Sequence, residues 1–459
     1  MPTESRMDVA LEISPVTVLV RSVLEWTFPE EHLQALYEQA PRCWTRELTI
    51  QALFRLVTEV VAGARNTVHA AYQADQARPD PSISVSAEAV YGKLGRMPHE
   101  FGSLLVRASA ERLRPLLAYA QPRQFPGLEG YRVRIIDGTD LGGTEHRLAV
   151  LRGIKAAGLP GRAVVSYDWA TGLCCDVAAS EDAYTSERVL VDGMLGRAAV
   201  EDLLVMDRYY CTTPVMQAIR SRGASFVIRA DERNLRCRTK GRRKYVGRSP
   251  TGKVYEQTLE IEDTQTGECF DVRRVTLVLD EPTEDGDTEV RLLTNLPLSI
   301  GALRIVELYR ERWTLERHFD FLKNCLHGEI ESLGKPNAAL FMMSMALVAG
   351  NALAVVRQAV RTTHGQSELD HLSGYYLADE LAKNDHAIDV LVTAAEWRDI
   401  QRLPVRAFWT WSGRIAKRIR TRGFHKHPRG PKHPLPKRSS GKHRHHYSTQ
   451  RLLEAAKKP

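Results

Sequence analysis

The sequence predicts an α/β fold, and three features predict it. From about residue 130 the pattern changes from helical periodicity to short β-branched runs separated by helix-length segments. Residues 338–356 carry no charge and are rich in alanine, as expected of a helix buried inside such a fold. Between 230 and 297 polar stretches alternate with β-type runs, so one segment is strand-rich. At 459 residues the chain can build two or three domains with a substantial core. Its 43% hydrophobic and 26% charged residues are ordinary for a globular protein.

Residues 1–128 read as a helical region. Leu48, Leu53, Leu56, Val57, Val60 and Val61 recur near helical spacing, predicting one helix over 45–78 with Thr45 as its cap. After the linker Arg78-Pro-Asp-Pro-Ser82, residues 86–94 and 99–117 read as helix, turn, helix, broken at Gly95-Arg-Met-Pro98. With Arg96, Arg107, Arg112 and Arg114 nearby, this is either a DNA-reading unit or a plain helical hairpin.

Residues 129–229 and 298–365 form the predicted α/β core. Strands are expected at Val133–Ile136, Leu148–Leu151, Arg162–Trp169, Leu173–Val177, Leu203–Met206 and Phe226–Arg229, with a helix from Pro214 to Arg222. Within 230–297 the β-type runs are Val254–Ile261, Val272–Leu279 and Glu289–Leu296, punctuated by Gly252, Gly267 and Gly286. Ahead of them lies a dense basic loop containing Arg242, Arg243, Lys244 and Tyr245, a composition suited to nucleic-acid backbone and unstacked bases. Ser299 then caps a long helix reaching Cys325. The uncharged stretch 338–356 is long enough to span a membrane. Ser344, Gly350 and Asn351 interrupt it and no Trp or Tyr belt flanks it, so a core helix is expected. Residues 366–411 are mixed helical, with Trp397, Phe408, Trp409 and Trp411 packing together.

The net charge of +8 conceals an asymmetry. Residues 412–459 hold 15 Lys/Arg and one acid, whereas the remainder is net −6. A tail laced with Pro, Gly and His buries little apolar surface, so it is expected to be extended and to attract polyanions. Its histidines show no ligand-like spacing, and the seven scattered cysteines suggest reduced thiols, with neither a zinc site nor a disulfide framework. Acidic residues at Glu4, Asp8 and Glu12 precede any apolar run, so no signal peptide is expected.

The chemistry concentrates on one predicted helix. Tyr309, Arg312, Glu316 and Lys323 fall at roughly 0°, 300°, 340° and 320° around a helix axis, a wedge about 60° wide. Leu308, Leu315, Phe319 and Leu322 form the adjoining apolar stripe, so the polar wedge borders buried surface. Either the wedge is a solvated face with i,i+4 ion pairs, or Glu316 holds a metal while Arg312 and Lys323 hold phosphates. Two aspartates bear on that choice: Asp137-Gly-Thr139 ends one apolar run and Asp207-Arg-Tyr-Tyr210 ends another. A carboxylate at the end of a buried strand sits at the rim of a sheet, and three hard oxygen donors suit Mg²⁺ or Mn²⁺.

In these blocks the chain resembles a DDE transposase of the insertion-sequence-four group, most closely over residues 130–350. The resemblance implies a ribonuclease-H-like mixed-sheet core with a β-rich insertion at 230–297, flanked by the helical N-terminal region and the basic tail. It implies Asp137, Asp207 and Glu316 as catalytic metal ligands. Tyr309, Arg312, Lys323 and Arg208 are then expected at DNA, with Mg (or Mn in vitro) as cofactor. Its implied partners are double-stranded DNA at element ends and target, and a second copy in a synaptic dimer. The setting it implies is the bacterial cytoplasm and nucleoid, with no membrane. Relatives stack a displaced base on a Trp in the insertion; no Trp lies between Trp169 and Trp313 here, leaving Tyr245 or Tyr255 for that role. Asp137-Gly-Thr139 is also similar to the loop of haloacid-dehalogenase phosphatases, but Ile135 stands where their nucleophilic aspartate would be. A non-catalytic DNA-binding protein derived from a transposase is the other alternative. Asp140 is a rival carboxylate, read here as a turn residue.

Overall fold

The computed structural model describes residues 5–41, 47–143, 148–154, 158–264, 266–283, 286–330, 333–427, 430 and 447–457. The N-terminal helices are α1 (Arg6–Ile13), α2 (Pro15–Thr27), α3 (Glu30–Gln39), α4 (Ile50–Val61), α5 (Val68–Gln76), α6 (Ala87–Leu94) and α7 (His99–Ala118). The helix expected over 45–78 is thus two. The chain turns at Gly63, whose φ of 78° lies in the left-handed region glycine enters without strain. Thr45 lies outside the described residues; the α4 cap is Thr49, whose hydroxyl accepts from the Ala52 amide.

The helix-turn-helix outline is present as α6 and α7, but α7 is a core helix. Phe101, Leu105, Val106, Leu113 and Leu116 are buried. Its arginines also face inward: Arg107 meets Asp176 at 3.2 Å, Arg114 meets the Cys175 thiol at 3.7 Å, and Arg112 lies over the Trp26 ring. Three of the four arginines that suggest a DNA-reading helix are therefore committed to the interior.

The strands are β1 (Arg132–Asp140), β2 (Gly158–Leu159), β3 (Arg162–Asp168), β4 (Cys174–Ser180), β5 (Asp202–Met206), β6 (Ser225–Arg229), β7 (Arg236–Ser249), β8 (Gly252–Glu262), β9 (Cys269–Leu279), β10 (Glu289–Thr294) and β11 (Tyr447–Ser448). Nine of them form one mixed sheet in the order β4-β3-β1-β5-β6-β10-β9-β8-β7. β1, β5 and β6 are parallel and the remaining pairs antiparallel, so the first five positions form the ribonuclease-H-like core. Successive side chains along a strand face opposite sides. Ile135, Leu203, Val205 and Val227 accordingly enter one core, and Ile136, Leu204, Met206 and Ile228 enter the other. Helices α8 (Glu187–Leu195) and α9 (Thr213–Ser221) cover the second face, through Val191, Met194, Val215 and Ile219. A sheet buried on both faces explains why these strands read as continuous apolar runs.

The strand-rich segment extends this sheet, with β10 pairing with β6. Two local expectations fail. Leu148–Leu151 is not a strand: Ala149–Leu151 forms a 3₁₀ turn, a run too short to find a sheet partner. The basic loop is strand β7, paired with β8 along one side at the sheet edge.

The chain continues through α10 (Ala302–Arg310), α11 (Trp313–Cys325), α12 (Pro336–His364), α13 (Gln366–His371), α14 (Gly374–Leu391), α15 (Ala394–Gln401), α16 (Val405–Ala416) and α17 (Thr449–Ala455). α12 is the apolar helix expected at 338–356, and its most apolar window is wholly buried in protein. Trp397 and Phe408 are buried, and Phe408 stacks on Trp26, so this aromatic group packs as expected. The tail is less extended than its composition suggests. Ser412 lies buried within α16, and Tyr447–Ser448 pair in parallel with Gly158–Leu159. Residues 431–446 lie outside the described residues.

Candidate active site

Strand register brings the two aspartates together. β1 and β5 run parallel with Ile136 opposite Met206, so Asp137 and Asp207 are the next residues on neighbouring strands. β5 stops there. The Asp207 carboxylate caps the following 3₁₀ turn by accepting from the Tyr209 amide at 2.8 Å. β1 continues against β3 alone, with Asp137 opposite Val165, so Asp137 sits within a strand instead of past its end. Its neighbour Gly138 leaves room for the Glu187 carboxyl group, which a Cβ there would meet at 2.2 Å and push aside.

The helix expected from Ser299 to Cys325 is broken. Gly301 is the N-cap of α10, and the chain tightens between α10 and α11. There the Glu311, Arg312, Thr314 and Leu315 amides each donate to the carbonyl three residues earlier. The Trp169 indole donates to Glu311 at 2.8 Å and pins this junction. The tightening separates Tyr309, on α10, from Glu316 and Lys323 on α11, whereas Arg312, the N-cap of α11, stays one turn before Glu316. The apolar stripe survives the break: Leu308, Leu315 and Leu322 are buried and Phe319 packs against them.

Arg312 ties the helix to the sheet. One guanidinium nitrogen lies 2.5 Å from Asp137 and the other 2.6 Å from Glu316. The i,i+4 pairing of Arg312 with Glu316 is present, with Glu316 34% exposed, but Arg312 and Asp137 are only 12% and 14% exposed, so the pair continues into buried surface. Burial raises the pKa of the Tyr309 phenol, against the charge of the same guanidinium. Burial also pushes the Asp137 carboxyl up to about 6. Arg312 opposes that shift, and the charges of Asp207 and Glu316 add to it. Asp137, Asp207, Glu316, Tyr309 and Arg312 are therefore brought together.

The other sequence-predicted residues lie elsewhere. Lys323 pairs with Glu329 at 3.2 Å, and Glu329 also accepts from the Gly143 amide. Arg208 faces Asp287 at 3.6 Å, a carboxylate shared with Arg229. Asp140 pairs with Arg162 at 2.7 Å, so it ends a strand in an ion pair and is not a turn residue. On β7 the cations are largely neutralised by the neighbouring strands. Arg238 and Lys240 meet Glu260, Arg243 meets Glu289 and lies over the Tyr255 ring, and Arg248 meets Asp280. Arg242 and Lys244 have no carboxylate partner among the described residues, and Tyr245 is 60% exposed beside Tyr255.

Sequence reasoning missed Glu187. It opens α8 behind Gly138 and accepts from the buried Tyr210 hydroxyl at 2.9 Å. Burial raises its pKa against the pull of Tyr210 and Arg162, with the Asp207 charge adding to the rise. The available signal was Ser186 as an N-cap ahead of Glu187, which marks a helix start but not its direction.

Among the described residues no three His, Cys, Asp or Glu side chains stand close enough to hold an ion as they are. The Arg312 guanidinium lies between two of the three carboxylates. The donor set nonetheless fits a hard divalent cation: all its ligands are oxygen, and two of them, Asp137 and Glu316, already share one positive charge.

Residues 128–351 match the family model described as "Transposase DDE domain". This interval contains both aspartate blocks, both site helices and the whole strand-rich segment, just under half of the chain. The match supports a DDE transposase, a class that generally uses divalent metal ions and binds DNA. No curated protein matches the chain.

Proposed function

We propose that this protein is a transposase of the insertion-sequence-four type. It cleaves DNA at element ends in a metal-dependent reaction and joins the freed 3′ ends to target DNA. The observation that supports it most is the register of β1 and β5, which sets Asp137 beside Asp207 at one sheet rim while Arg312 draws Glu316 to the same point. Asp137, Asp207 and Glu316 would hold Mg²⁺ or Mn²⁺, which when bound supplies an activated water and neutralises charge on the scissile phosphate.

The remaining work falls to the chain's own side chains. Arg312 has two roles on this reading. Without metal it neutralises Asp137 and Glu316. With those charges held by an ion instead, its guanidinium would be free to pair with a DNA phosphate, for which its planar fork is suited. Tyr309 orients that guanidinium. Glu187, held by Tyr210, supports the strand around Gly138 and is an additional acid near Asp207. Arg242, Lys244 and Tyr245 on the sheet edge offer unneutralised charge and an exposed ring to DNA. Lys323 reaches phosphate only by leaving Glu329.

A non-catalytic derivative remains the alternative reading, and the intact carboxylate triad argues against it. The test is nicking of a supercoiled plasmid bearing the element's ends. On this proposal nicks accumulate with Mg²⁺ and stop with a chelator. DNA binding without nicking in either condition would establish the derivative instead.

A further inference from the structure

A second basic site lies behind α11. Arg317, His318 and Phe321 face a cavity of about 570 Å³ bounded also by β3, α12 and α14. These residues lie about half a turn around the helix from Glu316. Four cations line it: Arg123, Arg317, Arg357 and Lys426. The one carboxylate among its described lining residues is Glu311, already committed to the Trp169 indole and the Thr314 hydroxyl.

Arg357 carries the argument. It projects from α12 just after the uncharged stretch 338–356, and among the described residues it makes no ion pair or hydrogen bond. Other inward-facing guanidinium groups are engaged, though not always by carboxylates: Arg114 meets the Cys175 thiol and Arg112 lies over the Trp26 ring. Arg21 pairs with Asp385 and Asp389, and Arg273 pairs with Glu256 and donates to three backbone carbonyls. Arg357 is half-buried in the cavity wall, and holding a cation there without a partner is costly. Burial lowers the pKa of Arg357 and the Arg123 charge adds to it, against Tyr167 and Asp370; Lys426 is lowered by burial, Arg357 and Arg317, against Asp370. A cluster of mutually repelling cations around a cavity of nucleotide size is completed by an anion that enters it.

We infer that this pocket binds a phosphate-bearing ligand, with Arg357 as the innermost group and Arg123, Arg317 and Lys426 around the mouth. The Tyr167, Trp169 and Phe321 rings wall the cavity, but Arg123 lies over the Trp169 ring and Glu311 holds its N–H. The recognition is therefore of charge, and the phosphate comes either from a free nucleotide or from the DNA backbone.

The test uses the full chain in a chelator, so neither metal nor cleavage enters the readout and its failure leaves the carboxylate triad untouched. Pyrophosphate and deoxyadenosine triphosphate are titrated calorimetrically, and a labelled DNA duplex by fluorescence polarisation. Arg357→Gln should weaken binding by about tenfold or more. The doubly substituted Arg317→Ala/Lys426→Ala protein, altered only at exposed positions, should weaken it likewise and guards against misfolding of the first variant. Loss of pyrophosphate and nucleotide binding identifies a free nucleotide. Loss confined to the duplex, with a shallower salt dependence, identifies backbone phosphate. If the wild-type protein and both variants bind every probe equally, or none is bound, the inference is overturned.

Discussion

At the scale of residues, the site stores electrostatic tension that Arg312 only partly relieves. Asp137 titrates at about 6 in the folded chain against an ordinary 3.8, mainly because burial disfavours its charge. A carboxyl raised on folding contributes most below its unfolded value, and that contribution is lost as pH rises from about 4 to about 6. Asp137→Asn should therefore stabilise the metal-free protein above pH 6, by roughly 1–2 kcal/mol, with the gain fading towards pH 4. Thermal melts of both proteins across that range check it; a gain independent of pH would point to packing instead. Arg312→Ala leaves Asp137 and Glu316 facing each other without their cation. It should lower metal-free stability by about 1–3 kcal/mol and cut cleavage at least tenfold. Arg310→Ala, exposed on the neighbouring turn, should change neither.

At the scale of elements, β7 is a test of which cations are available. Arg242→Ala with Lys244→Ala should weaken DNA binding several-fold. Arg238→Ala with Lys240→Ala, whose charges Glu260 and Asp271 already offset, should have a smaller effect. Polarisation titrations at fixed salt distinguish the pairs, and equal losses would mean that the whole edge simply adds charge. The same elements show what the sequence could convey. β1, β5 and β6 were legible because strands buried on two faces must be β-branched or otherwise apolar throughout. β7 was not, because an edge strand exposed along most of its length carries no apolar alternation. The break before α11 was hidden for a different reason: Arg310-Glu-Arg-Trp313 contains neither Pro nor Gly, and tertiary contacts such as Trp169 with Glu311 favour the tighter turn. Asp137, Asp207 and Glu316 were readable as carboxylates at strand ends and on a helix face. Glu187 was not, since only the fold places α8 behind Gly138.

At the scale of the whole molecule, charge is segregated along the chain. The acidic body closes its own ion pairs, while Lys and Arg crowd towards the C-terminus. Because α16 runs through Ser412 and β11 pairs with β2, truncation after Ser412 would remove folded structure together with charge. Replacing the six Lys and Arg between 429 and 444 by Gln isolates the charge instead. DNA binding should weaken, and the slope of log K against log salt should fall by about 0.9 for each phosphate that the segment no longer neutralises. An unchanged slope would place this segment outside the interface.

The central claim is that Asp137, Asp207 and Glu316 act as one metal-holding unit. Cleavage of DNA carrying the element's ends, measured in Mg²⁺ beside a gel shift of the same DNA, tests it most directly. Asp137→Asn, Asp207→Asn and Glu316→Gln keep each side chain's shape and remove the charge that would hold the ion. Each should bind DNA as the wild type does, while its cleavage falls by about a thousandfold or more, on the order of 4 kcal/mol in the barrier. Cleavage within tenfold of wild type by any one of the three would contradict the claim.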